Sequence, residues 1–252
     1  MKVAAIQHDV VWEDRDATLA HLEPQLRAAA GSGARLVVLT EMFPTGFSTE
    51  PERVVEPEGG PTTEFLHTQA AELNIWLTGS VPTRPAGGGR PVNRLLLAGP
   101  GGELWLYDKI HPFSYSGEHE HYAAGTERVT FDVDGVRVTP FVCYDLRFAD
   151  EFWAMAQGTD CYVVVANWPS SRRAHWQALL VARAIENQAY VVGVNRVGEG
   201  GGLHYVGDSR IIDPVGEILA AGAGGETILL ADIDPDVVAE TRKRYPFLAD
   251  RR

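Results

Sequence analysis

Phe141-Val142-Cys143-Tyr144-Asp145-Leu146-Arg147-Phe148 places one cysteine where an apolar run gives way to polar residues. Two other stretches share this construction. Leu36-Val37-Val38-Leu39-Thr40-Glu41 ends in an acid, and Leu104-Trp105-Leu106-Tyr107-Asp108-Lys109 ends in a base. Short apolar runs that stop at a reactive side chain read as buried strands of an α/β fold, which collects its chemistry at strand ends. A thiol there becomes a nucleophile once a base takes its proton, so its partners must come from elsewhere in the chain.

Working outward, β-branched runs alternate with longer amphipathic stretches, the pattern of strands separated by crossover helices. Strands are expected at 2–8, 35–40, 75–81, 93–99, 103–107, 129–133, 136–142, 161–166, 189–195, 205–212 and 227–233, and helices at 14–30, 61–73, 148–157, 173–187 and 235–243. Gly99-Pro100-Gly101-Gly102, Asp134-Gly135 and Asp213-Pro214-Val215-Gly216 are turn signals between strands, so the pairing is mixed. So many strands with so few helices predict an α/β fold of four layers, α-β-β-α, in which two mixed sheets stack face to face under outer helices. Gly87-Gly88-Gly89 and the glycine-rich Gly198 to Gly202 read as flexible loops, and neither fits a phosphate-cradling pattern.

The 252 residues show no linker and are expected to form one domain, 1–252. A net charge of -12 argues against a nucleic-acid partner and an anionic membrane surface, because both need a basic face. Without a signal peptide or an apolar run near the roughly 20 residues of a membrane span, the expected location is the cytoplasm. The two cysteines, Cys143 and Cys161, suit neither a disulfide framework nor a zinc site. Cys161 opens the run Cys161-Tyr162-Val163-Val164-Val165-Ala166 and reads as a buried strand residue.

Around Glu41, the segment Met42-Phe43-Pro44-Thr45-Gly46-Phe47 makes an apolar lip that favours a carboxylate able to accept a thiol proton. Lys109 lies between Trp105-Leu106-Tyr107 and Ile110-His111-Pro112-Phe113, where a cation could hold an oxyanion. The loop Ser114-Tyr115-Ser116-Gly117-Glu118-His119-Glu120-His121-Tyr122 has metal-like side chains, but nothing else in the chain supplies a matching ligand pair, so no metal is expected. His8, His175 and His204 receive no role. Arg183 and Glu186 are spaced to pair along one helical face.

The ordered series of motifs resembles the nitrilase superfamily of carbon-nitrogen hydrolases over nearly the whole chain. It runs through Val3-Ala4-Ala5-Ile6-Gln7, Leu39-Thr40-Glu41-Met42-Phe43, Tyr107-Asp108-Lys109-Ile110-His111, Val142-Cys143-Tyr144-Asp145-Leu146-Arg147-Phe148, Asn167-Trp168-Pro169, Arg183 to Gln188, Asn195-Arg196-Val197-Gly198 and Gly207-Asp208-Ser209. The resemblance implies a catalytic set of Glu41, Lys109 and Cys143, with Glu118 as a second glutamate for which Glu120 is a rival. It implies an acyl pocket at Tyr115, Tyr144, Arg147, Asn167 and Trp168, although Trp168 also reads as core packing and Arg147 as an ion pair with Asp145 or Glu151.

The same resemblance implies a cysteine amidase that needs no cofactor. Glu41 is the base, Cys143 forms a thioester with a small linear amide, Lys109 and the Tyr144 N–H hold the oxyanion, and water completes hydrolysis. The lip and Asp145-Leu146-Arg147-Phe148 resemble the ω-amidase branch, which acts on 2-oxo acid amides such as 2-oxoglutaramate. Pro112 and Ala149 depart from that pattern, where an aliphatic residue and a proline are expected. Deaminated glutathione amidases, aliphatic amidases, N-carbamoyl amino acid hydrolases and a non-catalytic binding subunit are the alternatives. The family resemblance and the apolar tail after Arg242, about 242–252, predict a homodimer that buries Tyr245, Phe247 and Leu248 near 148–155.

Overall fold

The computed structural model describes residues 1–251. Its first half contains β1 (Lys2–Gln7), α1 (Arg15–Gly31), β2 (Leu36–Val38), α2 (Pro51–Val54), β3 (Glu56–Pro57), α3 (Pro61–Leu73), β4 (Trp76–Arg84), β5 (Val92–Ala98) and β6 (Leu104–Asp108). After α4 (Glu118–His121) come β7 (Phe131–Val133), β8 (Val136–Val142), α5 (Ala149–Met155), β9 (Cys161–Ala166), α6 (Arg173–Asn187) and β10 (Tyr190–Asn195). The chain ends through β11 (Val197–Gly200), β12 (Leu203–Ile212), β13 (Ile218–Ala223), β14 (Thr227–Asp232) and α7 (Pro235–Arg244). Among the described residues no helix is long and apolar enough to cross a membrane.

Two mixed sheets of 7 strands each form, one ordered β14-β1-β2-β4-β5-β6 with β3 beside β4, the other β11-β12-β10-β9-β8-β7 with β13 beside β12. Strand alternation explains the layering. In β1, Val3 and Ala5 join the core shared with the second sheet, while Ala4 and Ile6 turn outward onto Leu22 and Leu26 of α1 and Leu66 and Ala70 of α3. On the other outer face α6 buries Trp176, Leu180 and Ala184, and Gly193 of β10 lets the helix come close: a Cβ there would lie 2.5 Å from Leu180. The expected four-layer α-β-β-α arrangement is therefore observed.

Local signals act as read. The Asp14 side chain caps α1 by accepting from the Ala17 N–H at 3.0 Å. Asp134 and Gly135 both take positive φ (51° and 85°), as the tight hairpin between β7 and β8 requires.

Three expectations need correction. The glycine-rich stretch at 198–202 is not a flexible loop: Val197–Gly200 pairs with Leu203–Val206 as an antiparallel hairpin. Gly198 and Gly200 answer crowding, since a Cβ on Gly198 would meet Asp9 at 2.1 Å and one on Gly200 would meet Trp12 at 2.4 Å. The strand β13 was not expected from sequence, because its half-exposed Ile218-Leu219-Ala220-Ala221-Gly222-Ala223 lacks a bulky alternation. The helix expected at 148–157 is α-helical only over Ala149–Met155, and Ala156–Gly158 continue it as a 3-10 turn.

Candidate active site

Glu41, Lys109 and Cys143 meet at the carboxyl ends of β2, β6 and β8. Lys109 follows β6 directly and Cys143 follows β8 directly, so each side chain's position is set by the strand before it. The Lys109 ammonium, 1% exposed, donates to Glu41 Oε1 at 2.8 Å and to Glu118 Oε2 at 2.8 Å, and both glutamates are fully buried. Glu118 also accepts from the Phe113 N–H. The Phe47 ring closes one side, its centroid 5.5 Å from Nζ.

Burial alone would lower the lysine's proton affinity, but Glu118 and Glu41 outweigh it and hold Lys109 well above the ordinary lysine range. Lys109 therefore stays a cation. Burial pushes the Glu118 carboxyl up, against the pull of Lys109. Burial, then the Glu41 charge, pushes the Cys143 thiol well above its usual range, so Cys143 rests as a thiol with Glu41 in hydrogen-bonding reach.

Cys143 has φ 47°, a left-handed conformation that a side-chain-bearing residue adopts only when its surroundings hold it there. Asp145 does the holding. Fully buried, its Oδ2 accepts from the Val142 N–H at 2.9 Å and the Tyr107 hydroxyl at 2.8 Å, and its Oδ1 accepts from the His111 N–H at 2.9 Å. The cysteine turn is thereby tied to the chain on either side of Lys109. His111 stacks on Phe148, ring centroids 3.6 Å apart, closing the tie from the outside.

A pocket enclosing, with its mouth, about 440 Å³ opens beside Cys143, walled by Phe47, Phe113, Tyr144, Trp168 and Tyr205 among others. Tyr144, Arg147, Asn167 and Trp168 lie in its walls. Asn167 turns its donors to Glu41: its backbone N–H donates to Glu41 Oε2 at 2.8 Å and its side-chain amide N–H to the Glu41 carbonyl at 2.6 Å. Trp168 is an apolar wall whose indole N–H goes to the Arg172 carbonyl at 2.9 Å.

Tyr115 does not belong to the pocket. It is 86% exposed, because the short 3-10 turn Ser114–Ser116 points it outward while Phe113 and Ser116 face the cavity. Arg147 pairs with neither Asp145 nor Glu151: it donates to His175 Nδ1 at 3.1 Å and lies over Trp168, 4.8 Å from the ring centroid, while Glu151 accepts from Arg128. Of the two rival glutamates, Glu118 is buried on Lys109 and Glu120 is exposed. Pro112, next to Phe113, is not among the pocket's walls. The Arg183 to Glu186 pair forms at 2.7 Å.

Sequence reasoning missed Asn93. From β5 its Nδ2 donates to Glu41 Oε1 at 2.9 Å and Glu118 Oε1 at 3.2 Å, bridging the two carboxylates that Lys109 also joins. The available signal was a lone amide followed by Arg94 at the head of the apolar run Leu95-Leu96-Leu97. Asp145, conspicuous within the cysteine motif, carries no role that its sequence position alone would assign.

The fold and this strand-end cluster define a carbon-nitrogen hydrolase of the nitrilase superfamily. The chain belongs to the carbon-nitrogen hydrolase family, whose profile matches residues 2–243. It is 42% identical to the omega-amidase YafV of Escherichia coli K12 over 99% of this chain and 96% of that protein. It is 33% identical to a 2-oxoglutaramate amidase of Bacillus subtilis over 87% of this chain and 85% of that one. Among solved structures it resembles XC1258 of Xanthomonas campestris, a CN-hydrolase superfamily protein with an arsenic adduct in its active site, with a TM-score of 0.94, 39% identity and coverage of 100% and 97% of the two chains.

Proposed function

We propose that this chain is an ω-amidase that releases ammonia from the terminal amide of a small 2-oxo acid amide such as 2-oxoglutaramate. The observation that carries the reading is the Lys109 ammonium locked between Glu41 and Glu118 beside a cysteine whose thiol remains protonated until a base acts. The similarity to an omega-amidase and a 2-oxoglutaramate amidase supports the substrate class.

In this mechanism Glu41 takes the thiol proton as the Cys143 sulfur bonds to the amide carbon, and the carbonyl π pair moves to oxygen. Lys109 and the Tyr144 N–H, in the first turn after the nucleophile, hold that oxyanion. Glu41 passes its proton to the nitrogen, the C–N bond breaks and ammonia leaves a thioester. Water, deprotonated by Glu41, then attacks the thioester carbon, and the sulfur departs to regain a proton. Glu118 and Asn93 hold Lys109 and Glu41 in place throughout.

The whole chain acts as one catalytic domain in the cytoplasm and as an isologous homodimer. Tyr245 and Phe247 stack at 5.7 Å and stay exposed, Phe247 at 61%, and Arg251 lies 4.8 Å from the Trp153 ring centroid, which joins the tail to the helix after the nucleophile. Leu248 is already buried within the chain, so the interface rests on Tyr245 and Phe247. A species of 27.5 kDa with full activity at micromolar concentration would rule the dimer out.

Ammonia release measured across ω-amides, N-carbamoyl amino acids and nitriles tests the function. The 2-oxo acid amides should be turned over best, Cys143→Ala and Cys143→Ser should abolish turnover while remaining folded, and Cys161→Ala should retain it. Turnover surviving in either Cys143 variant, or a preference for nitriles, overturns the reading.

A further inference from the structure

The walls of the pocket beside Cys143 include two guanidinium groups, Arg147 and Arg172, and no Asp or Glu. This reverses the balance of the chain, where 34 acidic residues face 22 basic ones. Adjacent residues show the contrast. Arg173 is spent on the protein itself, in a two-pronged pair with Asp208 at 2.9 Å and 2.9 Å. Arg172 makes no ion pair with any described carboxylate; its guanidinium carbon lies over Phe113, 5.3 Å from the ring centroid, as that of Arg147 lies over Trp168.

An arginine stacked on an aromatic wall is held in one place with little further loss of side-chain freedom, and its planar fork matches a carboxylate. Two such cations line a mostly apolar cavity whose walls bring no carboxylate to either of them, so the space favours an anion that carries its own. We propose that Arg172, assisted by Arg147, binds the carboxylate that a 2-oxo acid amide carries at the end remote from its scissile amide, and so sets the preference for such anions over neutral amides. The inference rests on the amidase reading and adds the residue that reads the substrate's charge.

The test compares glutaramate, which carries the carboxylate, with butyramide, which does not, in the parent, Arg172→Gln, Arg172→Lys and Arg173→Gln. The ratio of kcat/KM for glutaramate over butyramide should fall on the order of tenfold to a hundredfold in Arg172→Gln, chiefly through KM, with partial recovery in Arg172→Lys. It should hold in Arg173→Gln, which removes the same charge one residue away. Equal losses on both amides, or an unchanged ratio, overturn the proposal. A second readout is independent of turnover: protection of Cys143 from iodoacetamide by glutarate, which should weaken in Arg172→Gln by a similar factor. If the parent hydrolyses neither amide yet glutarate protection depends on Arg172, the amidase reading fails and the anion site stands. If amides are hydrolysed but protection ignores Arg172, the anion site fails alone.

Discussion

Lys109 Nζ and Glu118 Oε2 are 2.8 Å apart with both side chains closed off from solvent, and Glu118 Oε1 lies a further contact away at 3.1 Å. A lysine this deep is tolerated because two carboxyl groups surround it. Its members therefore differ in what their loss leaves behind.

Lys109→Met strands two carboxylates face to face, whereas Glu118→Gln leaves the lysine paired with Glu41. Removing one partner of a buried pair costs about 3–5 kcal/mol, so Lys109→Met should lie at or above the upper end and Glu118→Gln at or below the lower. Both should lose at least on the order of a hundredfold in turnover. Urea unfolding decides the order, and a more stable Lys109→Met than Glu118→Gln would contradict the account.

Asn93→Leu keeps the side chain's approximate size but removes the donors to both glutamates. Each lost bond to a buried charged acceptor is worth about 1.5–3 kcal/mol and two are lost, so stability should fall by about 3–6 kcal/mol and turnover on the order of tenfold or more. Asn93→Asp should be worse, since it adds a third carboxylate to the cluster. If the Asp variant outperforms the Leu variant at neutral pH, the bridging role is wrong.

Asp145→Asn should loosen the cysteine turn, because an amide cannot accept at both ends as the carboxylate does with Val142, Tyr107 and His111. Turnover and iodoacetamide labelling of Cys143 should change together. Tyr107→Phe, which removes one of those bonds, should cost about 1.5–3 kcal/mol. The two substitutions should be less than additive, and full additivity in a double-mutant cycle would show that they do not share the turn.

Stability should also respond to pH through His8. This residue is buried behind the glutamate strand, with Nδ1 against the Asp9 carbonyl at 2.8 Å and Nε2 against Thr40 Oγ1 at 3.1 Å, and burial lowers its pKa from 6.5 to about 4. Between those values the unfolded chain binds the proton and the folded one refuses it, so stability falls as pH falls from about 6.5 toward 4 and is insensitive to His8 above that window. From pH 7 to 5 the loss from this group is roughly 2 kcal/mol. His8→Gln should flatten that part of the urea-midpoint profile; an unchanged slope would place the pH sensitivity elsewhere.

Local sequence determined the layers and the three strand-end residues. Apolar runs alternating with amphipathic stretches can bury themselves only as sheet under helix, and an acid, a base or a thiol directly after such a run must sit at the strand's end, so Glu41, Lys109 and Cys143 were legible from the chain alone. Their surroundings were not. Asn93 reaches Glu41 and Glu118 from a strand that carries no motif, Asp145 faces Tyr107 instead of Arg147, and Phe113 and Arg172 face the cavity while Tyr115 faces water. The same limit hid β11, whose glycines look like slack chain until Asp9 and Trp12 are seen pressing on them. Such pairings join segments far apart in the chain, and no local pattern records which distant side chain will arrive to accept a hydrogen bond or claim a space; only the packing of the two sheets settles that.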